Sequence, residues 1–186
     1  MAQKENQRIA LTKKLLQEGL LRLLETKTLD KISVTELCRE SGINRATFYN
    51  HYSSPQELLT DIETRMSTEL QQVIGEPQSA DDAIRQTEAV CNYFATHART
   101  ILILNRCHAD DDIAEILYTL NEKFQALRTK HKFVRGMDQD SIHLVSVFLH
   151  TGTYHILLEW LSKGIQKTPK EVAELMVRLA AENFLE

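Results

Sequence analysis

Within one run of the chain, Arg45, Thr47, Tyr49, Asn50 and His51 all end in hydrogen-bonding groups, and Ala46 among them is small enough to allow close approach. On a short helix they would form one outward face. The chemistry that suits such a face is recognition of nucleic acid, because base edges in the major groove display distinct donor and acceptor patterns. Arg45 and Asn50 are the candidates for bases or adjoining phosphates. Thr47, Tyr49 and His51 would position the helix on the backbone, with Thr35, Asn44 and Ala46 completing the surface. Bond-breaking chemistry finds little support: GxSxG, HExxH and a glycine-rich phosphate loop are all missing from the sequence. His143 and His150 share a helix face with Tyr154. However, neither His143 nor His150 has a His or Glu four residues away to supply a second metal ligand, so polar lining of a pocket is a better reading than a metal site.

The elements that must hold this face are legible in the same stretch, Ser33 to Tyr52. Ser33 and Glu36 have capping-box spacing, and Val34 and Leu37 make one side of a first short helix apolar. Gly42 ends that helix in a left-handed turn, and Ile43 plugs the corner. Asn44 caps a second helix over Arg45 to His51, with Phe48 and Tyr52 facing inward. Periodicity by itself fits an ordinary helical hairpin equally well.

The order of residues goes further. Gly42-Ile43, then Thr47-Phe48-Tyr49-Asn50-His51-Tyr52, then Glu57-Leu58-Leu59, resembles the helix-turn-helix of TetR-family transcriptional regulators, and Thr28-Leu29 and Ile32-Ser33-Val34 extend the match upstream. One departure is Pro55, where the family commonly has a phosphate-gripping lysine just before the Glu-Leu-Leu. The resemblance implies a homodimeric repressor on a near-palindromic double-stranded DNA operator, released by a small effector. It also implies that the last two long helices of each subunit form a four-helix dimer interface.

Composition agrees with this class. The 186 residues are 42% hydrophobic, with only three prolines and six glycines, which favours an all-α chain able to bury a core. The net charge of −4 divides unevenly. Residues 1–60 carry nine Lys/Arg against seven Asp/Glu, and the remainder carries thirteen against nineteen. A mildly basic reading head on an acidic body has the sign expected of a DNA binder. Cys38, Cys91 and Cys107 are odd in number and widely spaced, which argues against disulfide or zinc frameworks. No apolar run reaches membrane-spanning length and the start is polar, so a cytoplasmic location is expected. No cofactor, metal or enzymatic activity is expected.

Along the chain, residues 1–7 read as a frayed, polar start, with Lys4, Arg8, Lys13 and Lys14 as possible phosphate neighbours. A helix from Ile9 to Thr26 supports the reading head. Ser54-Pro55-Gln56-Glu57 opens a connecting rod to about Ile74. Ser79 starts another helix, Ile101 to Leu104 reads as a short buried helix, and Asp110-Asp111-Asp112 opens one that runs to about Lys130. Asp138 caps a helix ending at Gly164, and Thr168-Pro169-Lys170-Glu171 begins the last. The expectation is about nine helices, as a three-helix DNA-binding bundle over 1–53 and a helical effector and dimerisation domain over 54–186. Phe94, Leu102, Phe124, His143, Phe148 and Tyr154 are the candidates for an effector pocket. Thr151, Trp160, Leu175 and Leu179 are those for the dimer interface. Two rivals stand beside this reading: a regulator whose body docks another protein without an effector cavity, and an all-α enzyme.

Overall fold

A computed structural model describes residues 2–75, 79–107, 117 and 136–182. Phe124, the Asp110-Asp111-Asp112 run and the helix expected to follow it lie outside the described residues. Every regular element among those described is helical: α1 (Ala2–Leu24), a 3-10 turn (Leu29–Lys31), α2 (Val34–Ser41), α3 (Arg45–Tyr49), α4 (Pro55–Val73), α5 (Ala80–Thr96), α6 (Ala98–Arg106), α7 (Gln139–Ser162) and α8 (Pro169–Glu182). None of them is long and apolar enough to cross a membrane.

Contacts divide the chain into two compact units. One comprises Met1–Met66 with Ile103–Asp110, the other Ser67–Leu102 with Asp111–Glu186. In the first, Leu16, Leu20, Leu24, Leu37, Phe48, Leu58, Leu59 and Ile62 are fully or almost fully buried and make the core. Helix α1 begins well before Ile9, contrary to the frayed start expected. Its first residues are mostly good helix formers, and extending an existing helix adds one hydrogen bond per residue fixed. Leu15, expected on the apolar stripe, is 40% exposed.

One contact within this unit escapes sequence patterning. A Cβ added at Gly19 of α1 would lie 2.9 Å from the Ser41 Cβ of α2 and 3.2 Å from its backbone N and Cα. Glycine is what lets the two helices approach this closely. Ser41 Oγ turns back to donate to the Leu37 carbonyl at 2.7 Å, so the buried hydroxyl is satisfied within its own helix. Arg22 Nε of α1 donates to Glu40 Oε1 of α2 at 2.6 Å. Arg106, at the end of α6, donates through its guanidinium to the Leu24 carbonyl and thereby satisfies an open acceptor at the C-terminus of α1.

In the second unit α5 packs chiefly on α8 and also on α7. Its core includes Val90, Cys91, Phe94, Ile101, Leu157, Leu161, Val172 and Met176. Local chemistry sets the helix ends. Ser79 accepts from the Asp82 N–H at 3.2 Å, and Asp138 accepts from the Ser141 N–H at 2.7 Å. Thr168 and Glu171 form the full reciprocal box, at 3.2 Å from the Glu171 N–H to Oγ1 and 2.7 Å from the Thr168 N–H to Oε2. Helix α7 closes through Gly164 at φ 78°, with N–H groups of Gly164 and Ile165 reaching back to the Leu161 and Trp160 carbonyls.

Helix α7 is apolar on more than one side. Leu149, Tyr154, Leu157, Trp160 and Leu161 are buried within the chain. Leu144, Val147 and Phe148 are left 67%, 41% and 65% exposed.

Candidate nucleic-acid interface

The candidate surface is built on two short helices, each started by a side-chain cap. Ser33 Oγ accepts from the Glu36 N–H at 3.2 Å. The Glu36 carboxylate does not complete the expected box; it pairs with Lys27 at 2.5 Å, because an exposed ammonium within reach is a stronger partner than one backbone N–H. Gly42 has φ 69°, and the Ile43 and Gly42 N–H groups return to the Cys38 and Arg39 carbonyls. That left-handed residue turns the chain sharply enough to start a new helix a few residues later.

Asn44 then caps α3, its Oδ1 accepting from the Thr47 N–H at 2.8 Å. The helix itself is only five residues long and ends at Tyr49, short of the span read from sequence to His51. Its inner side is Phe48, which is fully buried. Tyr52, just beyond, is 3% exposed and donates its backbone N–H to the Phe48 carbonyl at 2.9 Å. The Phe48 and Tyr52 rings lie 6.1 Å apart.

The outer side carries the hydrogen-bonding residues. Thr35, Asn44, Arg45, Ala46, Tyr49 and Asn50 are exposed, and Thr47 and His51 are half-buried. The Arg45 guanidinium lies 5.9 Å from the centre of the Tyr49 ring, close enough for the aromatic face to favour the cation. Arg45 also bears on Cys38. Burial raises that thiol above its ordinary value and the Arg45 charge opposes the rise. Pro55 opens α4 with Ser54 Oγ accepting from the Glu57 N–H at 3.2 Å. Glu57 reaches the Ser53 N–H and hydroxyl, both at 2.6 Å. These hydrogen bonds hold its carboxyl below the usual range.

Lys13, partly exposed, lies against Tyr52 and Asp61. Its Nζ lies 5.2 Å from the centre of the Tyr52 ring and 3.5 Å from Asp61 Oδ2. The Tyr52 hydroxyl donates to the same oxygen at 2.6 Å, and Gln17 Nε2 approaches it at 3.4 Å. Burial works against ionisation of Asp61, but the Tyr52 hydroxyl and Lys13 outweigh it and hold the carboxyl low. Tyr52 moves the other way, raised by burial and by the Asp61 carboxylate. No sequence pattern links positions 13, 52 and 61.

The residues expected on other surfaces are less concentrated. Phe94 and Tyr154 are buried, Leu102 is half-buried, and His143 and Phe148 are exposed on α7. Burial depresses the pKa of His150. Trp160 belongs to the interior of its own chain: it is 7% exposed, and its indole N–H donates to the Lys167 carbonyl at 2.9 Å. Thr151 is exposed, Leu179 is half-buried and Leu175 is 43% exposed. Among the described residues no group of His, Cys, Asp or Glu is arranged to hold a metal ion.

A capped helix-turn-helix ahead of an all-helical body defines a class, the helix-turn-helix transcriptional regulators. Residues 81–182, more than half of the chain, match the TetR-type family model described as a transcriptional regulator C-terminal region, and the chain belongs to the TetR family. It is 36% identical over 66 residues to the HTH-type transcriptional regulator YxbF of Bacillus subtilis, a stretch that spans 35% of this chain and 17% of that relative. The fold is similar to that of a TetR transcriptional regulator from Streptococcus agalactiae, with a TM-score of 0.66 at 17% identity, covering 98% of this chain and 100% of that one. It is similar also to the fatty acid degradation regulator FadR from Bacillus halodurans, at TM-score 0.65, 10% identity and coverage of 94% and 97%. A third similar structure is the dihydroxyacetone kinase operon activator DhaS, at TM-score 0.58, 15% identity and coverage of 93% and 96%.

Proposed function

We propose that this regulator is a homodimeric repressor that reads a near-palindromic operator with α3, using Arg45 and Asn50 on base edges and Thr35, Asn44, Ala46, Thr47, Tyr49 and His51 on the surrounding backbone. The observation that carries the reading is the division of labour on α3. Phe48 and Tyr52 anchor it from inside, while the hydrogen-bonding side chains of Arg45, Tyr49 and Asn50 are exposed. Pairing of two copies is supported by Leu144, Val147, Phe148 and Leu175, an exposed apolar set on α7 and α8. In this reading residues 1–53 read DNA, and 54–186 dimerise and bind the effector. Selection of bound DNA from a random pool tests class and symmetry together. A near-palindrome with half-sites one helical turn apart is expected, and Arg45→Ala should lose about 1–3 kcal/mol of operator affinity if the guanidinium pairs bidentately with guanine. Unchanged affinity in folded Arg45→Ala would overturn the assignment of α3.

Release by an apolar effector rests on the buried Phe94 and Tyr154 and the half-buried Leu102, the composition expected of a pocket lining. An effector releases DNA only if it prefers the form that does not bind, and a hundredfold loss of affinity needs about 2.7 kcal/mol of coupling. Leu102→Trp separates a pocket from packed core. With a pocket, the variant stays folded, binds operator and ignores effector; with packed core, it loses stability through overpacking. The sign of regulation is read from a promoter fusion, since one protein of similar fold is an activator by name.

A further inference from the structure

A five-residue helix makes barely more than one turn and cannot hold its own direction. Its inner side is anchored by Phe48, which is fully buried. Just beyond its end stands a side chain with a partner on each of two other helices. Tyr52, still hydrogen-bonded to the last turn of α3, places its hydroxyl 2.6 Å from Asp61 Oδ2 on α4. The same oxygen receives Lys13 at 3.5 Å and Gln17 at 3.4 Å, both from α1. Helix α1, helix α4 and the residue just past the end of α3 therefore meet at one carboxylate. Packing does not require this: phenylalanine at position 52 would fill the same space, and the hydroxyl is the added feature. Hydrogen bonds to a charged acceptor are the strong ones and have a preferred direction.

We infer that Tyr52 and Asp61 are positioning residues for DNA reading, and that their hydrogen bond, braced by Lys13 and Gln17, fixes the angle at which α3 presents its outer face. The inference rests on the assignment of α3 as the reading helix. Neither side chain touches DNA in this scheme. Losing the bond lets α3 tilt, which degrades base contacts that need sub-ångström placement and spares phosphate contacts that tolerate movement.

The test uses the full-length protein, an operator chosen by selection, single-base variants of it, and random-sequence duplex. Tyr52→Phe removes the hydroxyl and Asp61→Leu, of similar size, removes the acceptor, and each should remain folded. The expected result is a fall of about tenfold in the ratio of operator to random-duplex affinity, with random-duplex affinity unchanged. The double variant should lose no more than the larger single effect. Arg45→Ala runs in parallel. If it abolishes discrimination while the other two retain the parent ratio, the positioning role is wrong and the reading helix stands. If none of the three variants changes the ratio, the reading helix itself is misassigned. An equal drop on operator and random duplex, tracking a lowered melting temperature, would reduce Tyr52 and Asp61 to structural residues and also overturn the inference.

Discussion

Gly19→Ala should destabilise the protein although alanine is the better helix former. In an open helix the exchange gains about 1 kcal/mol. Here the new methyl would meet the Ser41 Cβ at 2.9 Å, and the Ser41 N and Cα at 3.2 Å. Two of these three atoms are backbone and cannot rotate away, so α1 and α2 must separate. Overpacking of this kind costs about 1–3 kcal/mol, and against the propensity gain the net loss should be about 1 kcal/mol, or about 3 °C in melting temperature for a chain of this size. Gly19→Ser, larger by one atom, should lose more. Gly42 provides the contrast. It has φ 69° and nothing within 4 Å of an added Cβ, so Gly42→Ala should cost about 1 kcal/mol through backbone strain alone. Gly42→Asn should recover much of that loss. Far-UV circular dichroism during thermal and urea unfolding measures all four. A Gly19→Ala protein more stable than its parent would refute the close-approach reasoning.

Three further outcomes are expected. Phe148→Glu with Leu144→Glu should leave a folded monomer in sedimentation, because both side chains are more than 60% exposed on the isolated chain and charge belongs poorly in an apolar interface core. The Cys91 thiol is buried and its pKa is pushed up to about 12, mainly by burial. It should resist an aromatic disulfide reagent at pH 8 until the protein is unfolded, as counted by absorbance. Because Tyr52 is raised, the folded state holds that proton more tightly than the unfolded chain does. Its contribution is complete below the ordinary tyrosine value of about 10 and is lost as pH rises through the folded value, so Tyr52→Phe should flatten the decline of the urea midpoint above about pH 10.

Legible in the sequence was whatever depends on near neighbours. Ser33, Asn44, Ser79, Asp138 and Thr168 each cap a helix through a group three residues away, and that spacing is visible in one dimension. The inward pair Phe48 and Tyr52 was equally legible from i, i+4 spacing. Gly19 was not, because its reason lies 22 residues further on at Ser41. The Lys13–Tyr52–Asp61 convergence was hidden for the same cause. Helix α7 left a choice open. Its apolar residues run around most of its circumference, so period alone could not assign Trp160 to the interior and Phe148 to the surface.

The arrangement of α3 bears on how such a regulator could change its target. Asn44, Phe48 and Tyr52 hold the helix in place. Arg45, Ala46, Tyr49 and Asn50 are exposed around it. Exchanging them for other helix-compatible residues should cost within about 0.5 kcal/mol each, the range for surface positions. If α3 is the reading helix, the side chains it presents to DNA and the frame that carries them are separately mutable. A lineage could drift to a new operator through folded intermediates at every step, with no compensating change in the core.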